Sequence, residues 1–327
     1  MKVGSLFSGG GGGDLGFANA GHEIVFGCEI DPRARSVFRF HHPDIPIYHD
    51  VREVTHARLT SDGVTFPDLI MGGSPCQDLS VAGKRAGLGG ERSGLFHEQC
   101  RIADELGAAW VVWENVAGAF SSNAGEDFAA VLGGLTGNTP IVPKRGWRNA
   151  GVCVGPNRVA VWRVLDAQNF GVPQRRRRVF VVGGPRTMAR RVVEVLLEPE
   201  SSERDSPTRG KSPKEPSPAL EEGLGNTSSG GLGRTAQCLQ HKYPRNDLES
   251  DPFVVQMAGT KSVMRLHTPL ECERLMGWPD NYTAHGINDE GQLVDIANTN
   301  RYRICGNGIV ATVTEWIANR LPQEQAA

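Results

Sequence analysis

A doubly wound α/β fold with a mostly parallel sheet follows from three features of the sequence. First, the apolar run Val3–Phe7 leads into a glycine loop, Ser8 to Gly13, and then into a helical stretch, Leu15 to Ala20. Strand, glycine loop and helix in that order let a backbone approach a bound cofactor. Second, the next strand, Ile24 to Cys28, ends in Glu29, where a carboxylate can accept hydrogen bonds from two ribose hydroxyls. Third, two further short apolar runs, Phe66–Met71 and Trp110–Trp113, end in Gly72-Gly73-Ser74-Pro75-Cys76-Gln77 and Glu114-Asn115-Val116. Open α/β sheets place ligands outside the carboxyl ends of their strands, so both loops belong on one functional edge.

Composition narrows the class. The chain has 327 residues, enough for two domains or one large one, and is 39% hydrophobic and 22% charged, which suits a globular protein. Seven cysteines without a CxxC pair disfavour a disulfide scaffold and a structural zinc site. The opening Lys2–Leu6 does not resemble a signal peptide, and no apolar stretch reaches membrane-spanning length; a reducing, cytoplasmic setting is expected. With a formal net charge of -2, any nucleic-acid footprint must be local.

The remaining elements follow in order. The glycine loop as a whole, Phe7 to Asp14, is the candidate to approach a cofactor, though a glycine loop alone is a common feature. Ile30, after Glu29, can pack on an adenine face or simply in the core. A helix is expected over Arg33–Phe40, and the adjacent His41-His42 point to different sides of the backbone, which argues against metal binding. A short strand, Ile45–Tyr48, precedes Asp50 and Val51; an acid there can meet an exocyclic amine or cap a helix. Pro75 stiffens the chain beside Cys76, a candidate nucleophile that is equally a buried thiol. Ser80, Lys84, Arg85 and Arg92 lie in a glycine-punctuated basic segment that could close over an anionic ligand or be a plain flexible surface loop. After a helix over Leu95–Gly107, Glu114 is an acid at a strand end, where burial raises a carboxyl pKa and equips it to donate a proton.

A weak helix is expected over Ser121–Leu135, and residues 136–158 read as irregular, with a basic-aromatic cluster, Lys144 to Arg148, around Trp147. Strand resumes at Val159–Leu165. Gln174 then precedes Arg175-Arg176-Arg177-Arg178 and the apolar strand Val179–Val182. In extended backbone Arg176 and Arg178 face one way and Arg175 and Arg177 the other. Residues 198–233 turn to Ser, Pro, Glu, Lys and Gly, the composition of a linker or disordered loop. A strand at Val254–Gln256, a helix at Pro269–Met276 capped by Thr268, a loop over Arg303–Gly308 carrying Asn307 and a final helix from Ile309 to Arg320 complete the chain.

Taken together, these motifs resemble the DNA (cytosine-5) methyltransferase family. Phe7–Gly12 is similar to its first motif, Glu29, Ile30 and Asp50 to its adenosine-binding positions, and Pro75-Cys76 to its catalytic pair. Glu114-Asn115-Val116, Gln174-x-Arg176-x-Arg178, Arg265-Leu266 with Pro269-Leu270-Glu271, and Gly306-Asn307 match later motifs in order, so the resemblance spans Phe7 to Val310. One departure is Gly308, where the family usually has serine.

The resemblance implies a class I S-adenosylmethionine-dependent fold with a small target recognition domain. It divides the chain into a catalytic domain, 1–190, a recognition domain, 191–300, and a C-terminal helix, 301–327, returning to the first. Cys76, Glu114, Arg176 and Arg178 would be catalytic. Phe7, Gly9, Gly11, Gly12, Glu29, Ile30, Asp50, Val51, Pro75 and Asn307 would hold S-adenosylmethionine. Ser80, Lys84, Arg85, Arg92, Gln174 and Arg175 would meet double-stranded DNA. No metal is implied. A cytoplasmic monomer is expected, serving as the modification enzyme beside a separate restriction endonuclease or as a solitary phage or prophage methylase. Two alternatives share much of the pattern: a tRNA-acting member of the family and an inactive DNA-binding homologue. A Rossmann-type dehydrogenase shares only the glycine loop.

Overall fold

The computed structural model describes residues 1–74, 95–198, 253–258 and 261–322, without the side chains of 253–264. Its strands are β1 (Lys2–Leu6), β2 (Glu23–Cys28), β3 (Ile47–Tyr48), β4 (Leu69–Gly72), β5 (Trp110–Val116), β6 (Ala150–Val154), β7 (Arg158–Asp166), β8 (Arg177–Pro185), β9 (Phe253–Ala258), β10 (Lys261–Leu266), β11 (His285–Ile287) and β12 (Leu293–Asp295). The helices are α1 (Gly12–Asn19), α2 (Pro32–His41), α3 (His56–Ser61), α4 (Leu95–Glu105), α5 (Glu126–Thr136), α6 (Ala189–Leu196), α7 (Pro269–Leu275), α8 (Asn298–Asn307) and α9 (Ala311–Ala318).

β1 to β8 form one sheet in the order β3-β2-β1-β4-β5-β8-β7-β6, with β9–β10 and β11–β12 as separate hairpins. Pairing is parallel from β3 to β5 and antiparallel from β5 to β6. The sheet is the doubly wound, mostly parallel α/β sheet that the strand-loop-helix order predicts, and it fits the class I fold that the resemblance implies.

The central strands read as unbroken apolar runs because both their faces are covered. Leu69 and Met71 of β4, Trp110 and Val112 of β5, and Phe180 and Val182 of β8 face one core with α1, α2 and α6. Their neighbours Ile70, Val111, Trp113, Val179 and Val181 face the other, under α3, α4 and α5. Helix ends follow local chemistry: Asp31 caps α2, and Thr268 and Glu271 form a reciprocal capping box on α7.

Three features depart from the sequence expectation. β6 lies inside the stretch read as irregular; it is an edge strand whose Val152 and Val154 stay exposed, so its alternation carries no strong signal. Trp147 does not stand out as a free aromatic: its ring packs edge-on to Phe128 and Trp162, and its Nε1 donates to the Gly125 carbonyl at 2.8 Å. Arg303–Asn307 is the end of α8 rather than a loop, and only Gly308 to Val310 separate it from α9. α8 opens with Asn298-Thr299-Asn300-Arg301 and buries only Ile304, Cys305 and Gly306, which leaves little apolar periodicity to read.

Residues 269–300, assigned from sequence to a smaller domain, share a core with β1 and α1: Cys272, Leu275, Met276, Trp278, Tyr282 and Ile296 belong to it. α9 packs directly on α1. A Cβ at Gly16 would stand 2.3 Å from the Ala311 carbonyl oxygen and 2.6 Å from the Glu315 nitrogen. Both are backbone atoms and cannot swing aside. Gly16→Ala should therefore cost about 1–3 kcal/mol of stability by overpacking, seen as a lower urea midpoint; an unchanged midpoint would show that the two helices separate freely.

Candidate active site

The glycine loop and the turn after β2 form one corner. Phe7 leaves β1 at a positive φ of 54°, a conformation side-chain-bearing residues seldom adopt. This turns the chain so that the Gly9 N–H donates to Glu29 Oε2 at 2.8 Å, while the Asp31 N–H donates to Oε1 at 2.8 Å. Burial raises the Glu29 pKa, and these two N–H groups partly offset it. Ile30 presents its side chain to solvent at 63% exposure, an apolar surface beside a carboxylate. Fully covering such a side chain is worth about 1.5–3 kcal/mol.

The other expected cofactor residues divide. Gly11 caps α1 without a side-chain bond, and Gly12 opens the helix, so its first N–H groups are free of side-chain caps. Asp50 is ion-paired with Arg52 at 2.7 Å, which lowers its pKa, and also caps the short turn after β3; an adenine amine would have to share it. The Val51 side chain is buried, leaving its backbone as the available part. Asn307 is exposed at the end of α8, and its neighbours Ile304 and Ile309 pack against Gly10 and Gly13. An acid, an exposed apolar residue and a close-approach glycine loop fit the ribose, the adenine and the amino-acid tail of S-adenosylmethionine.

The second corner lies where β4 ends beside β5. Gly73 lies close against the acid: a Cβ there would stand 3.1 Å from Glu114 Oε2, so a larger residue would press on the carboxylate. Ser74 is held twice: the Trp113 Nε1 donates to its hydroxyl at 3.0 Å, and the Asn115 amide donates to its carbonyl at 2.9 Å. Neither contact was singled out from sequence, although both donors flank Glu114. Pro75, Cys76, Ser80, Lys84, Arg85 and Arg92 lie outside the described residues, as does nearly all of the Ser/Pro-rich 198–233 segment.

Glu114 pairs with Arg178 of the neighbouring antiparallel strand, Nε to Oε1 at 3.1 Å. Burial raises the Glu114 pKa, and the charges of Arg178 and then Arg176 pull against that rise. Arg176 precedes β8 and is buried, but it reaches towards the C-terminal segment: its guanidinium donates to the Gly306 carbonyl at 3.1 Å and the Gly308 carbonyl at 2.7 Å. Arg175 and Arg177 point outward, giving the alternation expected of the cluster. Gln174 corrects the sequence reading. It is fully buried, with its Nε2 donating to the Leu275 carbonyl at 2.8 Å, and presents no surface to a nucleic acid.

Asp14, under the glycine loop in the first turn of α1, was missed from sequence. It is completely buried, and among the described residues neither its carboxylate oxygens nor the nearby Ser5 hydroxyl has a hydrogen-bond partner of ordinary geometry. Desolvation pushes its pKa up to about 7. Among the described residues no group of three or more His, Cys, Asp or Glu side chains could hold a metal ion, and no helix is long and apolar enough to cross a membrane.

The Asp14 shift sets a sign. A carboxyl whose pKa is raised on folding favours the folded state most below its unfolded pKa, and that contribution is lost as pH rises towards the folded value. Across the pH 4–7 window each unit costs about 1.4 kcal/mol. Asp14→Asn cannot titrate, so its urea stability relative to wild type should climb steadily from pH 4 to 7 and level off above. Parallel profiles for the two proteins would show that Asp14 stays ionised.

Comparison with known proteins agrees with this geometry. The family model "C-5 cytosine-specific DNA methylase" matches residues 1–215 and 226–323. The Type II methyltransferase M2.BsuMI of Bacillus subtilis (strain 168) is 28% identical over 338 residues, covering 100% of this chain and 77% of its own length. A protein of Escherichia phage P1 named DNA N-6-adenine-methyltransferase is 33% identical, but over 57% of this chain and 29% of its own length. The crystal structure of the S. pombe Dnmt2 methyltransferase shares the fold, with a TM-score of 0.62 over 97% of each chain at 17% identity. The chain therefore belongs to the C-5 cytosine-specific DNA methylases, and its methyl donor is S-adenosylmethionine.

Proposed function

We propose that the protein methylates C5 of a cytosine flipped out of duplex DNA, through a covalent bond between the Cys76 sulphur and C6. The observation that carries this reading is Glu114, a largely buried acid of raised pKa in contact with Arg178 and set against the backbone that leads two residues later into Pro75-Cys76. C5 of cytosine is a poor nucleophile. Addition of the Cys76 thiolate at C6 makes C5 enamine-like and moves electron density towards N3 and O2. Glu114 supplies a proton to N3, and Arg178 offers hydrogen bonds to O2 as charge develops there. S-adenosylmethionine, when bound, supplies the electrophilic methyl group that C5 takes up. The C5 proton then leaves to solvent, the C6–S bond breaks, the thiolate returns to Cys76 and the N3 proton to Glu114.

Arg176, by holding the Gly306 and Gly308 carbonyls, keeps the segment around Asn307 beside the glycine loop. The target base is hidden in a duplex and must be flipped out to reach the thiol. Lys84, Arg85, Arg92, Ser80 and Arg175 supply the phosphate and groove contacts that position DNA without selecting its sequence. Sequence choice belongs to the region between α6 and α7, since residues 269–300 are taken up by the core shared with α1. The enzyme acts as a cytoplasmic monomer, as the modification partner of a separate endonuclease or as a solitary phage methylase.

Cys76→Ser should abolish transfer of a labelled methyl group to duplex DNA while leaving folding and DNA binding intact, because a serine hydroxyl is barely ionised near neutral pH. With 5-fluorocytosine at the target site, the wild-type enzyme should remain attached to the oligonucleotide on a denaturing gel, since fluorine cannot depart as a cation. Glu114→Gln should form that adduct slowly. Attachment at Cys100 or Cys153, or turnover by C76S, would refute the mechanism; transfer to tRNA in place of duplex DNA would refute the substrate. Glu29→Ala should weaken S-adenosylmethionine binding by about 1–3 kcal/mol through loss of the ribose hydrogen bonds, a change readable by titration calorimetry.

A further inference from the structure

Arg35 of α2 is a buried arginine, 4% exposed, that sits between two parts of the molecule distant in sequence. On one side its Nη1 donates to the backbone carbonyls of Glu29 at 3.0 Å and Ile30 at 3.2 Å. On the other it forks onto Asp289 at the tip of the β11–β12 hairpin, Nε to Oδ1 at 3.3 Å and Nη2 to Oδ2 at 2.8 Å. Asp289 also accepts from Arg39, which is more exposed, and the two arginines hold its carboxyl well below the usual range, at about 2. The hairpin lies along α2, where β11 makes its main contact.

We propose that Asp289 is a positioning residue for the cofactor: through Arg35 it holds the Glu29–Ile30 turn in the shape that meets the adenosine half of S-adenosylmethionine. This inference rests on the assignment of Glu29 and Ile30 to the cofactor. The physical argument is that a guanidinium this deeply buried needs a counter-charge to stay in place, and Asp289 is the carboxylate it forks onto. With that fork fixed, Nη1 has one direction left, towards the two carbonyls. Those carbonyls belong to the residues whose side chains face the ligand, so their placement sets where the Glu29 carboxylate and the Ile30 side chain stand. Asp31, the next residue, is tied to the C-terminal half as well, by Arg303 of α8. The turn is thus held by residues that arrive more than 250 positions later in the chain.

The test is calorimetric titration with S-adenosylhomocysteine, paired with steady-state methylation of duplex DNA. Asp289→Asn should weaken binding five- to tenfold and raise the KM for S-adenosylmethionine equally, with kcat at saturating cofactor unchanged. Asp289→Glu should recover part of the loss. Arg35→Lys provides a second variant should D289N fail to fold: one ammonium cannot serve both carbonyls and the carboxylate, and its affinity should fall similarly. Arg39→Gln, which removes the other partner of Asp289 but leaves the fork intact, should bind as wild type. Wild-type affinity in D289N and R35K, with Glu29→Ala weakened, would overturn the proposal and leave the cofactor site standing. Equal losses in R39Q and D289N would also overturn it, because general attachment of the hairpin would then be the cause. Unchanged affinity in E29A would overturn the cofactor assignment on which the proposal rests.

Discussion

The ion pair between Glu114 and Arg178 is the contact on which the candidate site depends. It joins the last parallel strand of the sheet to the first antiparallel one, so the site lies where the strand direction reverses. A largely buried acid is costly to ionise alone, and breaking such a pair by deleting one partner costs about 3–5 kcal/mol. Burial and charge act oppositely on the acid: burial keeps its proton on, and the guanidinium charges of Arg178 and Arg176 ease it off. A group balanced in that way can give and take a proton without leaving its place.

Around this pair the backbone is held by side chains rather than by sheet hydrogen bonds alone. Trp113 and Asn115 grip Ser74 from either side of Glu114, and Arg176 grips the turn between α8 and α9. The strand that carries the acid thereby also positions the chain leading to the thiol. A shift of β5 would move Trp113, Glu114 and Asn115 together, which preserves the spacing between the acid and the Ser74 backbone better than independent loops would.

What could be read from the sequence was local. Glu29, Ile30 and Glu114 each follow an apolar run within one or two residues, so their places at strand ends are visible without tertiary information. The four-arginine cluster showed its alternation for the same reason. Contacts between distant residues were invisible: Arg35 and Asp289 are 254 positions apart, and neither lies in a recognisable motif. Gln174 stands in the motif that the resemblance assigns to DNA, whereas its own environment is set by α7, about a hundred residues later. Asp14 went unnoticed because an acid in the first turn of a helix is ordinarily solvated, whereas here tertiary packing removes water from it. The boundary implied by the resemblance places residues 269–300 in the smaller domain, although their apolar side chains are spent on the core of α1 and α2.

The seating of α9 on α1 bears on how the molecule comes into being. His22, just after α1, bonds its ring nitrogen to the Ala318 carbonyl at 3.1 Å, and the Thr314 hydroxyl is within 3.1 Å of the Gly13 carbonyl. Among the described helices, the first in sequence therefore has its seat on the last. Loop closure over some three hundred residues is slow, and until it happens the apolar side chains that α1 and α9 bury against each other stay uncovered and prone to association. The same closeness of first and last helices makes circular permutation feasible: a new opening cut elsewhere, with the old ends joined, would synthesise α9 and α1 as neighbours and turn the slowest contact of the native chain into a local one.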